Sequence, residues 1–225
     1  MSEASSHAVA EVYRELGRRG FVPGSAGNVS ARCPDGVLIT PSGCAAEAVN
    51  DRNIAFVADD GKISGGMPSS ELPMHMAIYQ AFPQARAIVH THAEACTALA
   101  CLNQGLPAFH YMVTVFGGED VRCAPYVTFG TAELAELAVE ALRDRTACLL
   151  ANHGMIVHAP SLDRALSDAI ILESLCRQYL LARAAGTPRL LTAAEIAGAR
   201  ERFKTYGPGA SPAASTAGSP RSGTG

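Results

Sequence analysis

The sequence predicts an α/β protein in which a mixed, largely antiparallel sheet is layered with helices. Helical and strand patterns interleave along the chain, yet several neighbouring strands are joined by turns too short for the crossover helix that a parallel pair requires. The 225 residues are enough for one large domain with a well-buried core, and no repeat or internal linker divides them.

Taken in order, Val9, Val12, Tyr13 and Leu16 fall at helical spacing after Ser5 and Ser6, which predicts an amphipathic helix over residues 6–19. Short apolar runs at 29–32 and 37–40 flank Pro34-Asp35-Gly36 and read as a hairpin. Residues 54–58 read as a strand, Asp59-Asp60-Gly61-Lys62 as a turn, and Pro68-Ser69-Ser70-Glu71 as the opening of a helix through Ala81. A strand over 87–91 and a helix over 93–103 follow, then an irregular stretch at 109–112, a strand over 121–127, and a helix over 131–143 with Thr131 as its N-cap. Strands at 147–150 and 155–158 flank Asn152-His153-Gly154. Residues 162–185 form a long helix, and Thr192 with Glu195 has the capping-box pattern of a last helix ending near Thr205. From about residue 208 the composition turns to Gly, Pro, Ala and Ser. Such a segment cannot bury enough surface to order itself, so residues 1–207 are expected to form the domain and 208–225 a disordered tail.

Composition narrows the function classes. With 48% hydrophobic and 17% charged residues and a formal charge of −3, the chain has no basic field for nucleic acid or an anionic membrane. A small-molecule substrate is the expectation. No basic start followed by an apolar run marks a signal, and no stretch approaches the roughly 20 apolar residues of a membrane span, so a cytoplasmic location is expected. Seven cysteines without CxxC spacing do not make a disulfide framework. Cys96, Cys101, Cys148 and Cys176 read as small core residues.

The chemistry gathers around His90 and His92. Alternate strand residues face the same way with Cα atoms roughly 6–7 Å apart, which suits two imidazoles closing on one metal ion. The same pair could equally be core or surface histidines. His153 offers a third nitrogen, and Gly154 beside it permits close backbone approach at a strand end. Three neutral ligands leave a zinc-like ion its full charge and an open position for substrate. Glu71 could serve the helix dipole, or act as an acid/base that also reaches the metal. His7 and His158 read as surface histidines, and His75 as a packing or interface residue. Gly24-Ser25-Ala26-Gly27-Asn28, Thr40-Pro41-Ser42-Gly43 and Ser69-Ser70 are common as turns and caps. Together they offer amides, hydroxyls and a helix N-terminus able to hold a phosphate without a lysine.

GSAGNVSAR (24–32), ITPSG (39–43), PSSE (68–71), IVHTH (88–92), FHYMV (109–113), CAPYVTFGT (123–131), NHG (152–154) and FKTYG (203–207) resemble, in that order, the class II aldolase/adducin family. The likeness covers residues 6–207. It implies a three-layer α/β/α fold around a largely antiparallel sheet, and a homotetramer with active sites at subunit interfaces. It implies one zinc ion per subunit on His90, His92 and His153, with Glu71 as a further ligand in the free enzyme and the acid/base in turnover. It assigns substrate phosphate to Asn28, Ser42, Gly43, Ser69 and Ser70, with Ser42 where relatives often carry threonine. A neighbouring subunit's Tyr111 would handle the proton on the aldehyde side, and Tyr206 would close the site. The implied reaction is reversible cleavage of a ketose 1-phosphate (fuculose, 5-deoxyribulose or 5-methylthioribulose 1-phosphate) into dihydroxyacetone phosphate and a small aldehyde. The family also contains 4-epimerases, methylthioribulose-1-phosphate dehydratases and the non-catalytic adducin head, which stand as the alternatives.

Overall fold

A computed structural model describes residues 5–206, and the expected tail at 208–225 lies outside the described residues. Helix α1 (Ser6–Arg18) starts where Ser5 Oγ accepts a hydrogen bond from Ala8 N, and it buries Val9, Ala10, Val12, Tyr13 and Leu16 along one face. Strands β1 (Asn28–Cys33) and β2 (Gly36–Ile39) form the expected hairpin. Strand β3 (Ala55–Ala58) pairs with β2, and β4 (Ile63–Gly65) adds an edge. That edge strand was not expected, because its three residues are exposed and leave no apolar alternation to read. Helix α2 (Leu72–Ala81) leads to β5 (Ala87–Thr91) and α3 (Glu94–Cys101). After β6 (Cys123–Ala124) come α4 (Ala132–Ala141), β7 (Ala147–Leu150), β8 (Gly154–Ala159), α5 (Leu162–Ala185) and α6 (Ala193–Lys204). Thr131 Oγ1 caps α4 by accepting from Leu134 N, and the capping box of Thr192 and Glu195 is formed.

The eight strands make one sheet in the order β4-β3-β2-β1-β5-β8-β7-β6. Every pairing is antiparallel except β6 with β7, and the short turns between β1 and β2, β3 and β4, and β7 and β8 permit no other arrangement of those three pairs. Each face buries its own core. Val9, Leu16, Val29, Val89, Leu99, Val157 and Leu172 fill one side, under α1, α3 and α5. Met74, Ile78, Ile88, Leu134, Ala138 and Ile156 fill the other, under α2 and α4. This is the expected three-layer arrangement, and alternating strand residues feed the two cores in turn.

Four expectations are corrected. The strand foreseen over 121–127 shrinks to Cys123–Ala124, with one isolated bridge from Val121 to Leu106. Pro125 has no N–H to continue the ladder, so residues 125–130 become a loop. The stretch at 109–112 is not irregular throughout, since a 3₁₀ helix runs over Tyr111–Phe116. Cys101 is exposed rather than buried, at the last residue of α3 where the helix gives way to a turn. His158 is 2% exposed, stacked on Phe82 at 4.8 Å with Nε2 donating to Arg145 O. Its strand continues inward to Ala159, so Ala159-Pro160 does not bring it to the surface.

Candidate metal centre and cleft

β1 begins, β5 ends and β8 begins at the same end of the sheet. Register pairs Asn28 with His90 and Thr91 with Met155, which sets His153, just before β8, beside the two β5 histidines. His90, His92 and His153 each present a nitrogen, and these three atoms lie within 4.8 Å of one another. Their rings meet edge-on, with centroids 4.8 to 4.9 Å apart. His90 Nδ1 faces Met155 O at 2.9 Å. A carbonyl only accepts, so Nδ1 carries the hydrogen and Nε2 is left as a ligand. That Nε2 stands 3.0 Å from His92 Nε2 and 3.0 Å from Glu71 Oε2.

Glu71 stands at the N-cap of α2, yet its carboxylate does not cap the helix. Instead Oε2 meets His90 and accepts from Asn28 Nδ2 at 2.9 Å, while Oε1 lies 3.4 Å from His153 Nε2. Oε1 is buried with no hydrogen-bond partner, an expensive state for a carboxylate unless a cation satisfies it. Burial pushes the Glu71 carboxyl upward, but His90, His153 and the Asn28 donor outweigh it and hold it well below the ordinary carboxylate range. Burial first, then the neighbouring imidazoles, takes His92 down to about 3 and His153 down to about 4. Both are neutral ligands at neutral pH. At His90 burial acts downward, and the adjacent Glu71 carboxylate reverses it, so its pKa is raised. The donor set of three imidazoles and one carboxylate fits a zinc-like divalent cation.

A cleft of about 590 Å³ opens beside this cluster, within the range typical of small-ligand sites. Its walls include all five residues expected to bind phosphate: Asn28, Ser42, Gly43, Ser69 and Ser70. The segments carrying them are stitched together. Ser69 N donates to Thr40 O and Ser42 N to Met67 O, and the Tyr13 hydroxyl is shared between Ala26 O and Cys44 O. Gly27 lies at φ +77, and a Cβ there would sit 2.7 Å from His90 O, so only glycine lets this loop pass over the metal strand. Glu173 of α5 accepts from Ala95 N and Cys96 N, both at 2.8 Å, anchoring the start of α3 immediately after His92.

Two expected site residues fall elsewhere within the chain. Tyr111 is 49% exposed and Tyr206 72% exposed, and neither lines the cleft. They belong to an aromatic cluster in which Tyr111 stacks on His110 and Phe203, and Tyr206 meets Phe203 edge-on. Sequence reasoning passed over Tyr126, Val127 and Phe129, which line the cleft mouth from the 125–130 loop. The signal available was Pro125 and Gly130 bracketing an apparent strand. His75, read as a packing residue, is fully buried but also reaches Asn28 Oδ1.

Three histidines able to hold a cation beside a buried carboxylate, with hydroxyls and amides lining the adjoining cleft, are equipment suited to an enzyme acting on a small anionic molecule. Comparison with known proteins agrees. The model of the family described as class II aldolase and adducin N-terminal domain matches residues 7–180. The L-fuculose phosphate aldolase of Escherichia coli is 47% identical over 195 residues, covering 86% of this chain and 91% of that protein. A 5-methylthioribulose-1-phosphate/5-deoxyribulose-1-phosphate aldolase of Rhodospirillum rubrum is 43% identical, covering 91% and 93%. A solved L-fuculose 1-phosphate aldolase superposes with a TM-score of 0.84 at 36% identity, over 90% of this chain and 98% of its own. The chain belongs to the class II aldolase/adducin family. With its relatives it is an aldolase-type lyase rather than a non-catalytic module. No helix among the described residues is long and apolar enough to cross a membrane.

Proposed function

We propose that this protein reversibly cleaves a ketose 1-phosphate into dihydroxyacetone phosphate and a small aldehyde, using one zinc ion per subunit on His90, His92 and His153. The observation that carries the reading is the position of Glu71, whose two oxygens face the histidine cluster while Ser69 and Ser70 precede it into the cleft. The names of its relatives point to the same substrate class. When bound, the cation supplies Lewis-acid polarisation of the substrate's carbonyl side. Ser42, Gly43, Ser69, Ser70 and Asn28 hold the phosphate, so the sugar carbons extend from the cradle toward Glu71. In cleavage the aldehyde-side hydroxyl gives its proton to Tyr111 of a neighbouring subunit, its electron pair closes the aldehyde carbonyl, and the carbon–carbon bond breaks. Tyr111 passes that proton on to solvent as it arrives, while Glu71, a carboxylate at rest, takes one up from solvent, delivers it to the carbon that lost its bond, and removes it again in the synthetic direction. Tyr111 and Tyr206 lie outside the cleft of their own chain, which suits a homotetramer sharing sites between subunits. All seven cysteines are free, which suits the reducing cytoplasm.

The test is a kcat/KM comparison on L-fuculose, 5-deoxyribulose and 5-methylthioribulose 1-phosphates with product identification. Release of dihydroxyacetone phosphate supports the aldolase, whereas an isomeric sugar or a dehydrated product assigns an epimerase or a dehydratase. Cleavage that survives both EDTA and loss of any one of the three histidines refutes the scheme.

A further inference from the structure

Glu71, His75 and Tyr79 recur every four residues along α2 and share one face of it. Asn28, Ser30 and Arg32 alternate along β1 and share one face of the sheet. The two stripes lie against each other as a buried polar seam inside an otherwise apolar layer. Ser30 and His75 are 0% exposed, and Asn28 and Tyr79 3%. Asn28 lines the cleft; Ser30, His75 and Tyr79 do not.

Donor and acceptor chemistry permits one arrangement of hydrogens along the seam. Glu71 Oε2 only accepts, so the Asn28 atom at 2.9 Å is the amide nitrogen. Asn28 Oδ1 therefore faces His75 Nε2 at 2.6 Å and must accept from it. A neutral imidazole carries a single N–H, so His75 Nδ1 accepts from Ser30 Oγ at 2.7 Å. The Ser30 hydroxyl, with its hydrogen so placed, accepts from Tyr79 OH at 2.9 Å. Every bond then donates in the same direction, from Tyr79 toward Glu71, and bonds in such a chain reinforce one another. The far end is held by Arg32, which donates to Tyr79 O and lies over the Tyr79 ring at 4.9 Å.

We propose that His75 is a positioning residue for Glu71. By accepting from Ser30 and donating to Asn28, it fixes which way round the Asn28 amide faces. The amide nitrogen then stays on Glu71 Oε2, and Oε1 stays turned to His153 and the cleft. Turned over, Asn28 would set its oxygen against the carboxylate and free Glu71 to leave the geometry in which it meets the substrate carbon. Packing alone does not account for four polar groups aligned in one direction and ending on that carboxylate. The inference rests on the reading of Glu71 as the acid/base.

The experiment uses the zinc-loaded full chain and whichever of the three ketose 1-phosphates the wild type cleaves. His75→Leu removes the donor, and kcat is expected to fall about 10- to 100-fold, the usual effect of losing such a supporting partner. Zinc content should be unchanged and KM should stay within about threefold, because a transition-state interaction has been lost rather than uniform binding. His75→Gln, which keeps an N–H near the Nε2 position, is expected to recover most of that loss. Independently of activity, nitrogen-15 NMR of the metal-free wild type should show His75 as the Nε2–H tautomer. An Nδ1–H tautomer overturns the proposal even where His75→Leu fails to fold. Equal loss of kcat in the Leu and Gln variants, or a loss confined to KM, overturns it as well. Absence of cleavage by the zinc-loaded wild type instead refutes the aldolase reading, and the tautomer separates the two failures.

Discussion

At Gly154 a single added atom would disturb the candidate metal centre. It opens β8 directly after His153, where β8 runs against β5. A Cβ built there would lie 2.3 Å from Thr91 O and 3.2 Å from His92 Cδ2. Ordinary C–H···O contacts between strands sit near 3.3–3.6 Å, so Gly154→Ala requires the two strands to separate by about 1 Å. The neighbour is backbone, and no side-chain rotation relieves the clash. Overpacking of this kind costs about 1–3 kcal/mol, or about 2–12 °C in Tm for a domain of this size. The larger effect falls on the ligands, because His92 and His153 stand on opposite sides of the gap that widens. Zinc affinity is expected to fall at least about tenfold, by analogy with lost supporting contacts at metal sites. Competition with a chelator of known affinity measures it, beside a thermal melt of the metal-free protein. A Gly154→Ala protein with wild-type zinc affinity and Tm would refute the claim that close approach of β5 and β8 sets the ligand geometry.

Glu71→Gln keeps the Asn28 partner but loses the base, and kcat is expected to fall about 10²-fold or more while bound zinc, measured by atomic absorption, stays near one per subunit; unchanged kcat refutes the role. Ser69→Ala and Ser70→Ala should each raise KM for the phosphorylated substrate about tenfold, the worth of a hydrogen bond to a charged group, and an unchanged KM in both removes them from the cradle. Glu173→Ala leaves Ala95 N and Cys96 N without their acceptor and should cost about 2 kcal/mol in denaturant unfolding; a loss below about 0.5 kcal/mol, the spread of ordinary surface substitutions, contradicts the anchoring of α3. Burial lowers His75 to about 3 from its ordinary 6.5, so the unfolded chain takes up a proton there that the folded chain refuses. Its stabilising contribution is complete above pH 6.5 and is lost as pH falls toward 3, at about 1.4 kcal/mol per pH unit. Between pH 6.5 and 5 the metal-free wild type should lose about 2 kcal/mol more than His75→Gln in urea titrations, and parallel losses contradict a neutral, buried His75.

Much of this protein is written locally. The 3.6-residue and two-residue periods of apolar residues placed the helices and most strands, because each periodicity states which face an element buries. The caps at Ser5, Thr131 and Thr192 are formed as their residue types imply. Elements whose pattern is weak or interrupted were misread. β4 has three exposed residues and no alternation, and the 121–127 run looked continuous until Pro125 ended its pairing. His158 sits before Ala159-Pro160, which reads as a turn, and nothing nearby announces that Phe82, distant in sequence, will stack on it.

The sequence by itself determined that His90 and His92 face the same way, that Glu71 opens a helix, and that hydroxyls and glycines lie in separate turns. Those are consequences of strand and helix geometry within a few residues. Only the tertiary structure decided that His153 closes on the same point, because that depends on β8 pairing with β5 across more than sixty residues of chain, as His90 Nδ1 facing Met155 O records with its separation of 65. It also decided that Asn28, at the start of β1, donates from its amide nitrogen to Glu71 and accepts at its amide oxygen from His75. Hydrogen-bond direction is a property of atoms brought together by packing, and no spacing along the chain encodes it.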